Sequence, residues 1–216
     1  MSCSSRELPL RVRATNAPGH HRSAVSDLAA ILLAGGRGSR MGGVHKPLLE
    51  VGGITLLDAA IVAAREADCD PIVAVGDPAI AVSSPARQIE WVREDPPFGG
   101  PAAAIIAALP LIRTPRTLVL ACDLPRVAEA VRMLLGASFT GDGVCLNASG
   151  QRQWLTGLYR VDALRKAADE LPDRGRDAPV RDLLGGLAIA SVAASDDLVA
   201  DIDTWDDLNE ARRRTP

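Results

Sequence analysis

Aromatic residues are scarce in this 216-residue chain, at 3% of the total. So small a supply argues against a large aromatic-lined pocket or a surface that stacks RNA bases. An excess of one charge is also lacking. The formal net charge is -3, which disfavours a general nucleic-acid binder. A local basic cluster can still hold a small phosphate ligand, because short-range contacts outweigh a weak overall field. Cysteines are few: Cys3, Cys69, Cys122 and Cys145 form no Cys-x-x-Cys pair and have no histidine at zinc spacing. They read as small apolar residues of a protein in a reducing, cytoplasmic compartment. No apolar run is long enough to span a membrane. Met1 to Ser26 has no apolar segment of the secretory type. It mixes Ser, Arg, Pro and His without periodicity, and reads as a disordered N-terminal extension over residues 1–26. Its His20–His21 pair reads as a solvated tail or as a weak metal site.

What the chain does have is apolar residues, 47% of the total, ample for a core. From Leu28 onward short apolar runs alternate with helical patterns. Leu28–Ala34, Pro71–Gly76, Gln88–Arg93 and Thr117–Ala121 are predicted strands, buried by their continuous apolar character. Val144–Leu146 and Trp154–Tyr159 are predicted as further strands, with a short one near Ile202. Helices are predicted over Thr55–Ala67, from Gly99-Gly100-Pro101 to Leu109, and over Val161–Leu171, Pro179–Leu184 and Trp205–Arg213. Such alternation gives a mainly parallel sheet covered on both faces. No internal repeat or linker breaks it, so residues 27–216 read as one α/β domain. Ligands in such sheets sit beyond the carboxyl ends of the strands. Gly35–Arg40, Glu94–Asp95 and Asp123 each directly follow a predicted strand and are expected to converge on one edge.

The strongest chemical signal is Leu33-Ala34-Gly35-Gly36-Arg37-Gly38-Ser39-Arg40-Met41-Gly42, followed by Lys46. Glycines let backbone N–H groups approach phosphate oxygens. Arg37, Arg40 and Lys46 add positive charge where a triphosphate would lie. A Walker loop is excluded, because Lys46 lies between His45 and Pro47 instead of in Gly-Lys-Ser or Gly-Lys-Thr. A dinucleotide fingerprint is excluded because Gly36, Gly38 and Gly42 miss its spacing by one residue. The second signal is Ala121-Cys122-Asp123-Leu124-Pro125. A carboxylate leaving a buried strand suits Mg²⁺, which takes one or two carboxylates plus phosphate oxygens; a turn or helix-capping aspartate is the other reading. The third is Asp201-Ile202-Asp203-Thr204. On a strand its two carboxylates share a face and call for a cation between them; the alternative is that Asp203 or Thr204 caps the last helix.

Together these motifs resemble the molybdenum cofactor guanylyltransferases, members of the nucleotidyltransferase superfamily. The resemblance rests on Leu33-Ala-Gly-Gly-x-Gly-x-Arg-Met-Gly with Lys46-x-Leu-Leu, then Glu94-Asp95 and Gly100-Pro101. It continues through Cys122-Asp-Leu-Pro, Gly157-Leu-Tyr159 and Asp201-Ile-Asp-Thr, covering about Leu28 to Arg213. It implies a Rossmann-like three-layer α/β/α sandwich of the nucleotide-diphospho-sugar transferase type. It also implies transfer of GMP from GTP to the terminal phosphate of molybdopterin, with release of pyrophosphate.

The nucleotide would be held by Leu33, Ala34, Gly35, Gly36, Arg37, Gly38, Lys46, Asp95 and Asp123, with Mg²⁺ on Asp123 and Asp203. Lys46, Arg40 and Asp123 carry the catalytic expectation: Lys46 at the α-phosphate, Arg40 at the leaving pyrophosphate. Arg176 and Asp201 would face the pterin. Partners implied are GTP, molybdopterin or the molybdenum cofactor, and proteins of molybdoenzyme or cofactor assembly. Two departures stand out. His45 replaces the family's usual aspartate before the lysine, and Asp201-Ile-Asp203-Thr-Trp replaces Asn-x-Asn-Thr-Pro. The aspartate form is closer to the related cytidylyltransferases, whereas Gly35 and Gly100-Pro101 favour guanine. A CTP-dependent relative and a non-catalytic nucleotide binder are therefore the alternatives.

Overall fold

Six successive apolar residues, Leu28–Leu33, form the inner strand β1. A strand buried on both faces needs such a run, because its side chains alternate between two cores. Leu28, Ala30 and Leu32 enter one core, and Ala29 and Ile31 the other. The computed structural model describes residues 26–36, 41–77 and 89–215. The expected extension, apart from Ser26, lies outside the described residues, as do Cys3, the His20–His21 pair, Arg37, Gly38, Arg40 and Gln88.

The other elements are a short hairpin of β2 (Glu50–Val51) and β3 (Ile54–Thr55), α1 (Leu56–Glu66), β4 (Ile72–Val75) and β5 (Glu90–Val92). Then come α2 (Gly100–Ala108), β6 (Arg116–Ala121), α3 (Val127–Leu135), β7 (Gly143–Ala148) and β8 (Gln151–Arg160). α4 (Val161–Asp169), α5 (Val180–Leu184), β9 (Ile189–Ala193) and α6 (Trp205–Arg214) complete the chain. The main sheet has the order β5-β4-β1-β6-β8-β7-β9. β5, β4, β1 and β6 run parallel, β8 is antiparallel to β6 and β7, and β7 and β9 are parallel. Helices α1 and α3 cover one face, and α2, α4 and α5 the other. This is the expected three-layer α/β/α arrangement.

Two features of this frame position the site. Four parallel strands end on one edge, with Leu33 level with Val75 and Ala121. A third, smaller core also forms from Met41, Leu49, Val51, Leu56, Ile202 and Leu208. It ties the end of the glycine-rich loop, the hairpin and the start of α1 to the last helix.

Two readings change. The strand expected near Ile202 is absent. Ile202 instead drops its side chain into the third core, and its N–H donates to the Asp123 carbonyl at 3.0 Å. The last strand is β9, which pairs with β7. Helix α3, unforeseen in the sequence, buries Val127, Ala130, Val131 and Leu134. In the Gly157-Leu-Tyr159 piece of the resemblance, Tyr159 is fully buried and its hydroxyl donates to the Trp154 carbonyl at 2.7 Å. Its ring crosses Gly157, where an added Cβ would lie 2.4 Å from the hydroxyl oxygen.

Candidate active site

The chain leaving β1 is pinned by backbone bonds before it becomes the glycine-rich loop. Ala34 N donates to the Val75 carbonyl at 2.9 Å, Gly76 N to Val92 at 3.0 Å and Cys122 N to Leu33 at 3.2 Å. Ala34 is buried, while Gly35 and Gly36 are exposed at the strand edge. Gly36 has φ +148°, a region that favours glycine. Gly76 was not singled out in the sequence, yet the loop rests on it. A Cβ there would lie 3.1 Å from the carbonyl carbon and oxygen of Ala34 and 3.2 Å from Gly35 N. A glycine closing an apolar strand, as in Ile72–Gly76, is the signal that could have marked it.

Asp123 follows β6 on the same edge, in a turn that caps no helix: α3 begins at Val127 with Arg126 at its N-cap. Burial pushes its carboxyl up to about 6. The charge of Asp201 adds to that rise, the Lys46 ammonium and a backbone hydrogen bond oppose it, and Asp203 adds a smaller upward push. Asp123, Asp201, Asp203 and Lys46 thus share one electrostatic neighbourhood.

Lys46 opens a short 3-10 helix, Lys46–Leu48, and its ammonium is paired with the Asp203 carboxylate. The third core brings them together, because Leu49 anchors one side of the pair and Ile202 the other. Asp203 and Asp201 do not share a strand face. Asp203 is half-buried on Lys46, whereas Asp201 is exposed and lines a separate cavity of about 490 Å³ with Arg126, Asp197 and Arg214. Helix capping falls to Thr204, whose hydroxyl accepts from Asp207 N at 3.2 Å. His45 is exposed at the start of the 3-10 helix and makes no side-chain cap there.

Asp95 and Arg176 lie elsewhere on the same end of the molecule. Both line a cavity of about 580 Å³ between β5, α2 and the 171–176 turn. Asp95 is exposed, and beside it Glu94 accepts from Phe98 N at 3.0 Å, which shapes the loop leading into α2. Arg176 reaches Asp177 at 3.6 Å. Arg176 and Asp95 thus line one cavity, and neither is among the groups that act on the Asp123 carboxyl.

Among the described residues, no three His, Cys, Asp or Glu side chains are grouped to hold a metal ion unaided. The oxygen donors of Asp123 and Asp203 nevertheless fit a hard cation such as Mg²⁺, which completes its shell with phosphate oxygens and water. Burial first, and then the negative charge of Asp201, lift Asp123, and a cation there would offset both. Cys69, Cys122 and Cys145 are buried and unpaired with one another, as expected of small apolar residues.

A family model described as the MobA-like NTP transferase domain matches residues 30–191, from β1 into β9. The chain belongs to that family. Within the MobA-like NTP transferase group, a molybdenum cofactor guanylyltransferase of Pseudomonas syringae pv. tomato is 39% identical over 108 residues, 50% of this chain and 53% of that protein. The chain spans about half the length of the curated relatives it matches. Among solved structures, a nucleotidyl transferase of Methanothermobacter is similar at TM-score 0.68 and 24% identity, over 87% of this chain and 97% of that one. A Mycobacterium tuberculosis protein in complex with manganese is similar at TM-score 0.65 and 21% identity, over 88% of this chain and 100% of that one. These two likenesses establish the fold. No helix among the described residues of this MobA-like chain is long and apolar enough to cross a membrane.

Proposed function

We propose that this protein transfers GMP from GTP to the terminal phosphate of molybdopterin or the molybdenum cofactor, releasing pyrophosphate, and that residues 27–216 form the unit that does so. The observation that carries the reading is the neighbourhood of Asp123: a carboxylate raised by burial and by Asp201, with the Lys46–Asp203 pair acting on it, beyond the strand that opens into Gly35-Gly36. The family and the guanylyltransferase relative supply the reaction class.

In this reading an acceptor phosphate oxygen attacks the α-phosphorus of GTP in line. A new P–O bond forms, the bond to the bridging oxygen breaks, and pyrophosphate leaves with the electron pair. The nucleophile is already ionised, so catalysis is positioning and charge neutralisation. Leu33, Ala34, Gly35 and Gly36 offer backbone to the nucleotide, and Asp95, after β5 two strands away, is assigned to it as well. Lys46 meets the α-phosphate after exchanging Asp203 for it. Arg37, Gly38 and Arg40 enter from the sequence alone, with Arg40 on the pyrophosphate. Asp123 and Asp203 would hold Mg²⁺, which would supply charge neutralisation at the phosphate oxygens. The manganese complex of the mycobacterial protein accords with a divalent cation in this fold. Arg176 and Asp201 are assigned to the pterin side.

The Asp201-Ile202-Asp203 motif, in the aspartate form, favours CTP as the second reading. A thermal-shift panel with Mg²⁺ and each of GTP, CTP, ATP and UTP, followed by pyrophosphate release with molybdopterin, separates the two. GTP alone should stabilise the protein and be consumed. Stabilisation by CTP alone would move the chain to cytidylyl transfer. Binding without pyrophosphate release would make it a nucleotide-binding relative, and no binding at all would overturn the enzyme.

A further inference from the structure

The carboxylate of Asp207 makes more hydrogen bonds than a helix cap needs. Its Oδ2 accepts from Thr204 N at 2.7 Å and Thr204 Oγ1 at 2.8 Å. Those bonds, with Asp207 N donating to Thr204 Oγ1 at 3.2 Å, complete the cap of α6. The same oxygen also accepts from Asp203 N at 3.1 Å, one residue before the cap. That extra bond grips the peptide of the residue whose side chain pairs with Lys46.

The grip matters because the segment before α6 has no strand ladder. Residues 199–203 carry no regular secondary structure, and Ile202 N to the Asp123 carbonyl is their one backbone bond outside regular elements among the described residues. An extended segment so sparsely tied can rotate its peptides at little cost. Ile202 N fixes it on the Asp123 side, and Asp207 fixes it on the Asp203 side.

We propose that Asp207 is a positioning residue. By holding the Asp203 amide, it keeps the Asp203 carboxylate beside Lys46 and at the edge of the cation site. The role in cation binding rests on the function proposed above; the grip on Asp203 does not. Groups that orient metal-ligating carboxylates typically change metal affinity about 10- to 100-fold when removed.

Three variants separate positioning from capping. Asp207→Ala removes both the cap and the grip on Asp203. Thr204→Ala removes the capping hydroxyl and leaves the Asp203 bond. Asp207→Asn keeps a carbonyl acceptor at the same place. The first readout is the amide proton shift of Asp203 by NMR, which needs neither metal nor nucleotide. It should move upfield in Asp207→Ala and hold in Thr204→Ala and Asp207→Asn. The second is Mn²⁺ binding in the presence of a non-hydrolysable GTP analogue, followed by electron paramagnetic resonance. Half-saturation should rise about tenfold in Asp207→Ala and stay within about twofold of wild type in the other two. If Asp207→Ala does not fold, Asp207→Ser, which is too short to keep all three bonds, must give the same two changes.

An Asp203 amide that ignores Asp207→Ala overturns the proposal. So does equal weakening of Mn²⁺ binding by Thr204→Ala and Asp207→Ala, which would make Asp207 a cap and nothing more. Wild-type protein that holds no Mn²⁺ with the analogue would overturn the cation site and the function proposed above. The amide shift would still decide whether Asp207 grips Asp203.

Discussion

At the scale of single residues, Asp123 sets function against stability. Burial and the charge of Asp201 raise its carboxyl from the ordinary value of 3.8 to about 6. A folded-state value above the unfolded one means the contribution is fully present below about pH 4. It is lost as pH rises through about 6. At one pKa unit per 1.36 kcal/mol, the ionised carboxylate costs the fold roughly 3 kcal/mol at neutral pH. Asp123→Asn should therefore be more stable than wild type at pH 8, by up to about 3 kcal/mol, and equal to it near pH 4. Urea unfolding midpoints at the two values measure this. The same change should lower turnover by about 10² to 10³, the usual loss when one charge-stabilising group is removed. A variant no more stable at pH 8 would mean the carboxylate sits in an environment that already compensates its charge. Lys46 works in the opposite direction, because its ammonium lowers the Asp123 carboxyl and pairs with Asp203. Neither effect is visible in the sequence, where Lys46 and Asp203 stand 157 residues apart.

At the scale of elements, the glycine-rich loop depends on how closely the end of β4 passes under it. The Ala34 and Gly35 backbone crosses above Gly76 at a distance that leaves about no room for a side chain. Gly76→Ala should displace the loop by a few tenths of an ångström and weaken GTP binding more than it weakens the fold. A rise in GTP KM with a nearly unchanged melting temperature is the expected pattern. A matched loss of both would make Gly76 a packing residue only. The sequence made β1, β4 and β6 plain, because strands buried on both faces need unbroken apolar runs. Those strands, together with β5, place Gly35, Glu94–Asp95 and Asp123 on one edge. It concealed α3, whose N-cap Arg126 offers no capping side chain. It concealed β9 too, since Ile189–Ala193 is mostly small and exposed. The alternation Asp201-Ile202-Asp203 imitated a strand, but Ile202 is buried in the small third core instead. The Thr204-x-x-Asp207 spacing does mark a helix cap in the sequence. The extra bond to Asp203 N is tertiary information.

At the scale of the whole molecule, ligand binding and the pH dependence of stability are one linked equilibrium. A cation on Asp123 must displace its proton, so the affinity for Mg²⁺ with GTP should weaken as pH falls below about 6, approaching tenfold per unit. With ligand at 100 times its dissociation constant at pH 8, binding should add about 2.7 kcal/mol. For a chain of this size that corresponds to roughly 5–10 °C in melting temperature. At pH 5 the same concentration should sit near 10 times the dissociation constant, adding about 1.4 kcal/mol and roughly 3–6 °C. In Asp123→Asn the pH dependence of the shift should disappear, because no proton competes at that position. Thermal scans of wild type and variant, with and without Mg²⁺ and GTP at both pH values, measure all of these at once. A wild-type shift that is equal at pH 5 and pH 8 would separate the cation from Asp123. The burial of that carboxylate would then be a cost the fold bears without the return of a metal site.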